Sequence, residues 1–136
     1  MSSLDDIKIK VESLSFRQNA LPILHEIRHA LTRLAETGEG TVIDLRAIPF
    51  GPGDEELLLE ILGPGEVEAT VNALGPTRIR ETGFAGVWLL DYQDEAGERI
   101  AFQIEVTTLP SLLRSQPQDI AEAGGRLAER LQQLAE

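Results

Sequence analysis

Apolar positions along the chain change period several times, and each change predicts an element. Ile7-Lys8-Ile9-Lys10-Val11 alternates apolar and polar, the signature of a strand, and it reads equally as a loose terminal arm. Residues 1–18 are therefore set apart as an N-terminal arm or edge strand. From Ala20 to Glu36 the apolar residues fall at Ala20, Ile23, Leu24, Ile27, Ala30, Leu31 and Leu34, which is helical spacing with one apolar stripe. Asn19 stands where an N-cap belongs, and Gly38 and Gly40 end the helix. Thr41-Val42-Ile43-Asp44-Leu45 reads as a short buried strand. Pro49, Gly51, Pro52 and Gly53 make the next stretch a loop, and Asp54 is placed to cap a short helix from Glu55 to Leu62.

Four strands follow. Val67, Ala69, Val71 and Ala73 alternate with Glu68, Thr70 and Asn72, which predicts one apolar and one wet face. Gly75-Pro76 turns the chain into a strand over 77–82, and a third runs from Val87 to Tyr92, apolar on both faces at its centre. Asp94-Glu95-Ala96-Gly97 is a hairpin turn, after which Ile100, Phe102, Ile104 and Val106 line one face of a fourth strand. The connections are too short for parallel crossovers, so the pairing is antiparallel. A helical turn is expected within 109–114, and a last helix from Pro117 to about Ala135 carries the stripe Ile120, Ala123, Leu127, Leu131 and Leu134.

The resulting expectation is an α+β fold for residues 19–136. It has an antiparallel sheet of four to five strands, the segment 41–45 at its edge, and the N- and C-terminal helices packed together on one face. Val67 and Val71, Ile100, Phe102 and Ile104, and Leu24, Ile27 and Leu31 should then share a single core. Gly124-Gly125 interrupts the last helix at a propensity cost of roughly 2 kcal/mol against two alanines.

Charge narrows the function. Against 12 Lys and Arg stand 23 acids, a net charge of −11, and a field of that sign repels phosphate backbones, which argues against a nucleic-acid partner. With no cysteine, the chain offers no disulfide, iron–sulfur ligand or thiolate zinc site. No apolar run is long enough to span a bilayer and the first residues do not form a signal peptide, so a cytoplasmic protein without a membrane partner is expected.

One catalytic pattern is present in letter. His25-Glu26-Ile27-Arg28-His29 spells the zinc-peptidase motif on a predicted helix: two histidines one turn apart can share a metal, and Glu26 between them can activate bound water. The helical phase opposes it. Stepping about 100° per residue from Leu24 centres the apolar stripe near roughly 300° and puts His25 and His29 near about 100° and 140°, pointing away from the core, and the chain holds no third histidine. Gly51-Pro52-Gly53 lacks the Lys-Ser or Lys-Thr of a phosphate loop. Trp88 sits in the most apolar strand, where it reads as core.

Three segments in order resemble a known family. The first is Asn19-Ala20-Leu21-Pro22-Ile23-Leu24-His25-Glu26-Ile27 leading into Gly38. The second is Ile43-Asp44-Leu45-Arg46 with Pro49 and the run from Asp54 to Leu62-Gly63-Pro64-Gly65-Glu66-Val67. The third is Glu81-Thr82 with Gly86-Val87-Trp88, Ile104-Glu105-Val106 and Leu109-Pro110 beyond. Together they look like the C-terminal domain of the HupH/HyaF hydrogenase expression and formation proteins. The resemblance implies a non-catalytic accessory role in making a nickel–iron uptake hydrogenase, with a hydrogenase subunit or another assembly protein as partner. It carries over no catalytic residue, and with no nucleophile set, thiol or convincing metal site in the sequence no cofactor is expected. Longer relatives hold such a domain twice, so a homodimer of this chain is a further expectation. The turn Glu81-Thr82-Gly83-Phe84-Ala85-Gly86 is the expected partner surface, with Glu81, Thr82 and Phe84 its contact residues; the alternative for Phe84 is a ring folded back onto the sheet. A small zinc hydrolase using His25, Glu26 and His29 is the competing reading.

Overall fold

The computed structural model describes residues 19–136, so the arm or strand expected over 1–18 lies outside the described residues. Helix α1 (Ala20–Thr37) leads to strand β1 (Thr41–Asp44) and a 3-10 turn, Leu45–Ala47. Helix α2 (Asp54–Leu62) precedes β2 (Pro64–Asn72), β3 (Pro76–Thr82), β4 (Val87–Gln93) and β5 (Arg99–Val106). A second 3-10 turn, Ser111–Leu113, and helix α3 (Pro117–Ala135) complete the chain. The five strands form one sheet in the order β1-β5-β4-β3-β2 with every pairing antiparallel. The α+β class, the meander of β2 to β5 and the edge position of β1 are all as expected.

The ends of α1 follow local chemistry at one end only. Gly38 closes the helix in the left-handed region (φ 76°), its N–H donating to the Leu34 carbonyl, a conformation that costs a glycine little. At the other end Asn19 makes no side-chain cap; its amide donates to the Pro49 carbonyl and ties the start of α1 to the loop before α2. Asp54 likewise is not the cap of α2 but its first residue, preceded by Gly53. Its carboxylate is buried and accepts the Gly51 N–H at 2.6 Å, so it braces the loop rather than the helix end.

Two apolar clusters, not one, hold the sheet. On one face Ile23 and Ile27 of α1 and Leu58 and Leu62 of α2 meet Ile43, Val87, Leu89, Phe102, Ile104 and Val106, with Leu24 and Leu31 packed alongside. On the other face Ile79, Trp88 and Leu90 gather with Val71, Tyr92 and Leu113. Trp88 is core, its indole N–H donating to the Thr107 carbonyl at 3.1 Å. The single shared core is therefore corrected. Val71 belongs to the second cluster, while Val67 and Ile100 are exposed. Ile100 sits where the β4–β5 register slips between Tyr92 and Gln93, and Val67 where β2 slips against β3 between Pro64 and Glu68. A bulge turns the neighbouring side chain out of the alternation on which the expectation rested.

The last helix is the second correction. It runs over the expected residues, yet none of them is buried, so it does not pack beside α1. The apolar face reserved for it is occupied by α2, and Leu113 packs against the opposite cluster.

Gly65 marks a close crossing of β2 over β3. A Cβ there would lie 2.8 Å from the Glu81 carbonyl oxygen and closer still to that of Thr82. Backbone cannot yield as a side-chain end does, so Gly65→Ala should cost about 2 kcal/mol, read as a lower urea midpoint at unchanged slope.

Candidate interaction surface

The helix-covered face of the sheet is apolar only as far as the helices reach. Directly opposed residues share a face, so the pairs Arg80–Leu89 and Arg78–Asp91 continue the Leu89–Ile104 and Asp91–Phe102 rows outward. Beyond them come Glu68 and Thr70 of β2. This half of the face is charged. Arg78 donates to Glu68 at 2.7 Å in an exposed pair, and that hydrogen bond, with the charge of Arg78, holds the Glu68 carboxyl below its ordinary range.

Where the charged half meets the end of α2 there is a cleft of about 550 Å³, lined by Leu59, Glu60, Gly63–Glu68, Arg80, Glu81 and Leu89. The volume lies in the range of ligand-binding clefts, about 300–1,000 Å³. Leu59 and Leu89 contribute apolar surface, while Glu60, Glu66, Glu68 and Glu81 surround the single cation Arg80. A cleft with these walls suits an apolar side chain flanked by basic groups.

The expected contact turn adjoins this cleft through Glu81. Gly83 N–H donates to the carbonyls of Leu62 (2.9 Å) and Gly63 (3.1 Å), which fastens the turn to the end of α2. Thr82 is buried, and its hydroxyl oxygen accepts Phe84 N–H and donates to Phe84 O, both at 3.2 Å. Val87 N–H also reaches Phe84 O, at 3.0 Å. So Thr82 shapes the turn rather than presenting itself to a partner, Glu81 is half-buried on the cleft wall, and Phe84 is 48% exposed on a pinned backbone. A fixed turn carrying an exposed aromatic has little entropy to lose on contact.

The histidine motif lands elsewhere. His25, Glu26 and His29 are all exposed on the outer side of α1, with Arg28 directed at the His29 ring at 3.4 Å. Among the described residues no group of three His, Asp or Glu is placed to hold a metal ion, and no helix is long and apolar enough to cross a membrane.

Two features escaped the sequence reading. Leu74, at the tip of the β2–β3 hairpin, is 92% exposed with φ 58°, an unusual combination for a bulky apolar residue; the only hint is its place before Gly75-Pro76. The other is an ion-pair network at the opposite edge of the charged area. Arg99 meets both carboxylate oxygens of Asp91 (3.0 and 3.2 Å), reaches Glu55 at 3.3 Å and stacks 3.9 Å over the Phe102 ring. Arg46 donates to the Arg99 carbonyl at 2.8 Å. Burial pushes the Asp91 carboxyl up, but the hydrogen bonds and charge of Arg99 outweigh this and hold it below its ordinary range. The network ties the first turn of α2 to the sheet; it is architecture rather than a reaction centre.

Known proteins resemble this chain in sequence and in fold. The hydrogenase expression protein HupH from Thiobacillus denitrificans superposes with a TM-score of 0.81 at 42% identity, over 85% of this chain and 96% of that one. The hydrogenase expression/formation proteins HoxQ of Azotobacter vinelandii and HupQ of Azotobacter chroococcum are each 33% identical over 113 residues, 82% of this chain. The chain spans 40% of the length of those two relatives. Residues 17–134 match the family described as HupH hydrogenase expression protein, C-terminal conserved region. With the family match spanning nearly the whole described chain and the superposition covering 85% of it, the chain belongs to the HupH C-terminal family.

Proposed function

We propose that this chain is a non-catalytic accessory protein in the maturation of a nickel–iron hydrogenase. In this reading it acts in the cytoplasm by binding transiently to a hydrogenase subunit or to another assembly factor. Membership of the HupH C-terminal family carries the reading, because relatives across its length are named for hydrogenase expression and formation. The surface supports it: a pinned turn presents Phe84 beside an acid-rimmed cleft, which fits an apolar anchor with basic flanks on the partner. Transient interfaces are modest in area and partly polar. With a net charge of −11, association with a basic patch should slow as salt rises.

The test is made in the native host. Deleting the gene should lower hydrogenase activity while growth without hydrogen stays normal. The tagged wild-type protein should co-purify with a hydrogenase subunit or assembly factor, and Phe84→Asp should reduce that recovery at least tenfold with the melting temperature unchanged. Full hydrogenase activity in the deletion strain at all oxygen levels would sink the maturation role. Undiminished recovery with Phe84→Asp would move the contact away from this turn.

A further inference from the structure

Helix α3 is hard to explain as a free-standing element. It is 19 residues long, none of them buried, and Ile120, Leu127, Leu131 and Leu134 are 59%, 61%, 58% and 83% exposed. Most helical stability in proteins comes from packing of an apolar face, and the Gly124-Gly125 pair lowers this helix's own propensity. Nor does its own fold require those glycines, since a Cβ at either would meet nothing within 4 Å. Glycines that the described residues do not need, on an apolar ridge that the described residues leave exposed, point to close approach by another helix.

The sequence of the helix says what. Ile120-Ala121, Leu127-Ala128 and Leu134-Ala135 repeat every seven residues, with Gly124 and Leu131 at the intervening seam positions. A period of 3.5 residues is what keeps a seam facing another helix. Laid antiparallel on itself over its full length, the ridge is self-complementary. Ile120 meets Leu131 of the second copy, Leu127 meets Gly124, and Leu134 meets Pro117. Ala121 and Ala128 oppose each other on one flank, allowing close approach, and on the other flank Asp119 lies toward Arg130 of the second copy. A parallel pairing would instead set Gly124 against Gly124 and leave a gap in the seam.

We infer that this chain self-associates through α3, as an antiparallel helix pair between two copies in which Gly124 receives Leu127. No residue of α3 lines the cleft, and the dimer does not depend on the maturation role. A helix of this length spans about 28 Å, and a pair of such ridges buries on the order of 1,000 Å², the lower bound for a specific interface. An interface at that lower bound is looked for in the micromolar range of concentration.

Sedimentation equilibrium of the full chain across the micromolar range tests it. The mass should rise from 14.9 kDa toward twice that value, and helical circular dichroism should rise with it. Leu127→Asp, at a position exposed in the monomer, should weaken association at least tenfold and leave the thermal transition of the sheet unchanged. Because the chain has no cysteine, orientation is read from single-cysteine variants. An oxidised mixture of Ala121→Cys and Ala128→Cys should form a disulfide-linked dimer, and neither variant alone should, because only the mixed pair comes within bridging distance. A monomer at all concentrations, or a dimer indifferent to Leu127→Asp, overturns the proposal. Efficient cross-linking of Ala121→Cys to itself overturns the antiparallel arrangement.

Discussion

Replacing Phe102 with alanine should remove about 3–5 kcal/mol of stability, the usual cost of deleting a buried phenyl ring. Most small domains are stable by only about 5–15 kcal/mol, so the variant should stand close to unfolding at physiological temperature. The position explains the size of the effect. Phe102 is the largest fully buried side chain, in the central part of β5, facing the layer built by α1 and α2. Its ring also receives the Arg99 guanidinium at 3.9 Å, so the substitution opens a cavity and removes the platform on which an ion pair rests. Urea unfolding followed by tryptophan fluorescence measures both, since Trp88 lies on the neighbouring strand β4. A loss under about 1 kcal/mol would mean that the helices collapse into the space freely, against the packing described here.

The second large effect is expected at Arg99. Asp91 has a side chain only 10% exposed, whereas that of Arg99 is 40% exposed. Arg99→Met keeps much of the aliphatic stem and strands the carboxylate. Breaking a fully buried pair costs about 3–5 kcal/mol; solvent access to this guanidinium lowers the expectation to about 2 kcal/mol at neutral pH. The pH dependence identifies the cause. In the folded protein the Asp91 carboxyl lies below its ordinary value of 3.8. The pair's contribution is therefore fully present above that value and is lost as pH falls through the lower, folded one. The stability gap between wild type and Arg99→Met should be widest at neutral pH and shrink in acid, because without Arg99 burial pushes the Asp91 carboxyl up and the variant takes up its proton before the wild type does. A gap that stays constant into stronger acid would assign the loss to packing over Phe102 instead.

The exposure of the turn over 81–86 was legible in the sequence because its parts are local. Gly83 and Gly86 bound a short segment between two strands, and an aromatic in such a segment has few routes into a core; Phe84 is accordingly half exposed. Thr82 was misread as a contact because a hydroxyl next to a turn looks the same in sequence whether it faces outward or grips the backbone. The cleft was not legible at all. Its walls come from the end of α2, the start of β2 and the middle of β3 and β4, and nothing local in Leu59 or Leu89 says that they stand across a gap from Arg80. The network of Arg46, Glu55, Asp91 and Arg99 was invisible for the same reason: its members are far apart in the chain and meet only through the sheet and the loop before α2.

By itself the sequence determined the elements and their order. Period, turn residues and short connections are properties of neighbouring residues, and they placed α1, α2, α3 and the antiparallel meander nearly to the residue. The family followed from the same linear information. What only the tertiary structure decided is which apolar set meets which. Alternation along β2 and β5 distinguishes two sides but does not say that both will be covered, nor where a one-residue slip will turn Val67 and Ile100 outward. The same holds for α3: its amphipathic ridge was plain in the sequence, and the chain's own sheet seemed the natural cover. Burial is a competition for a finite face, and α2 with α1 occupies the place that α3 would have needed.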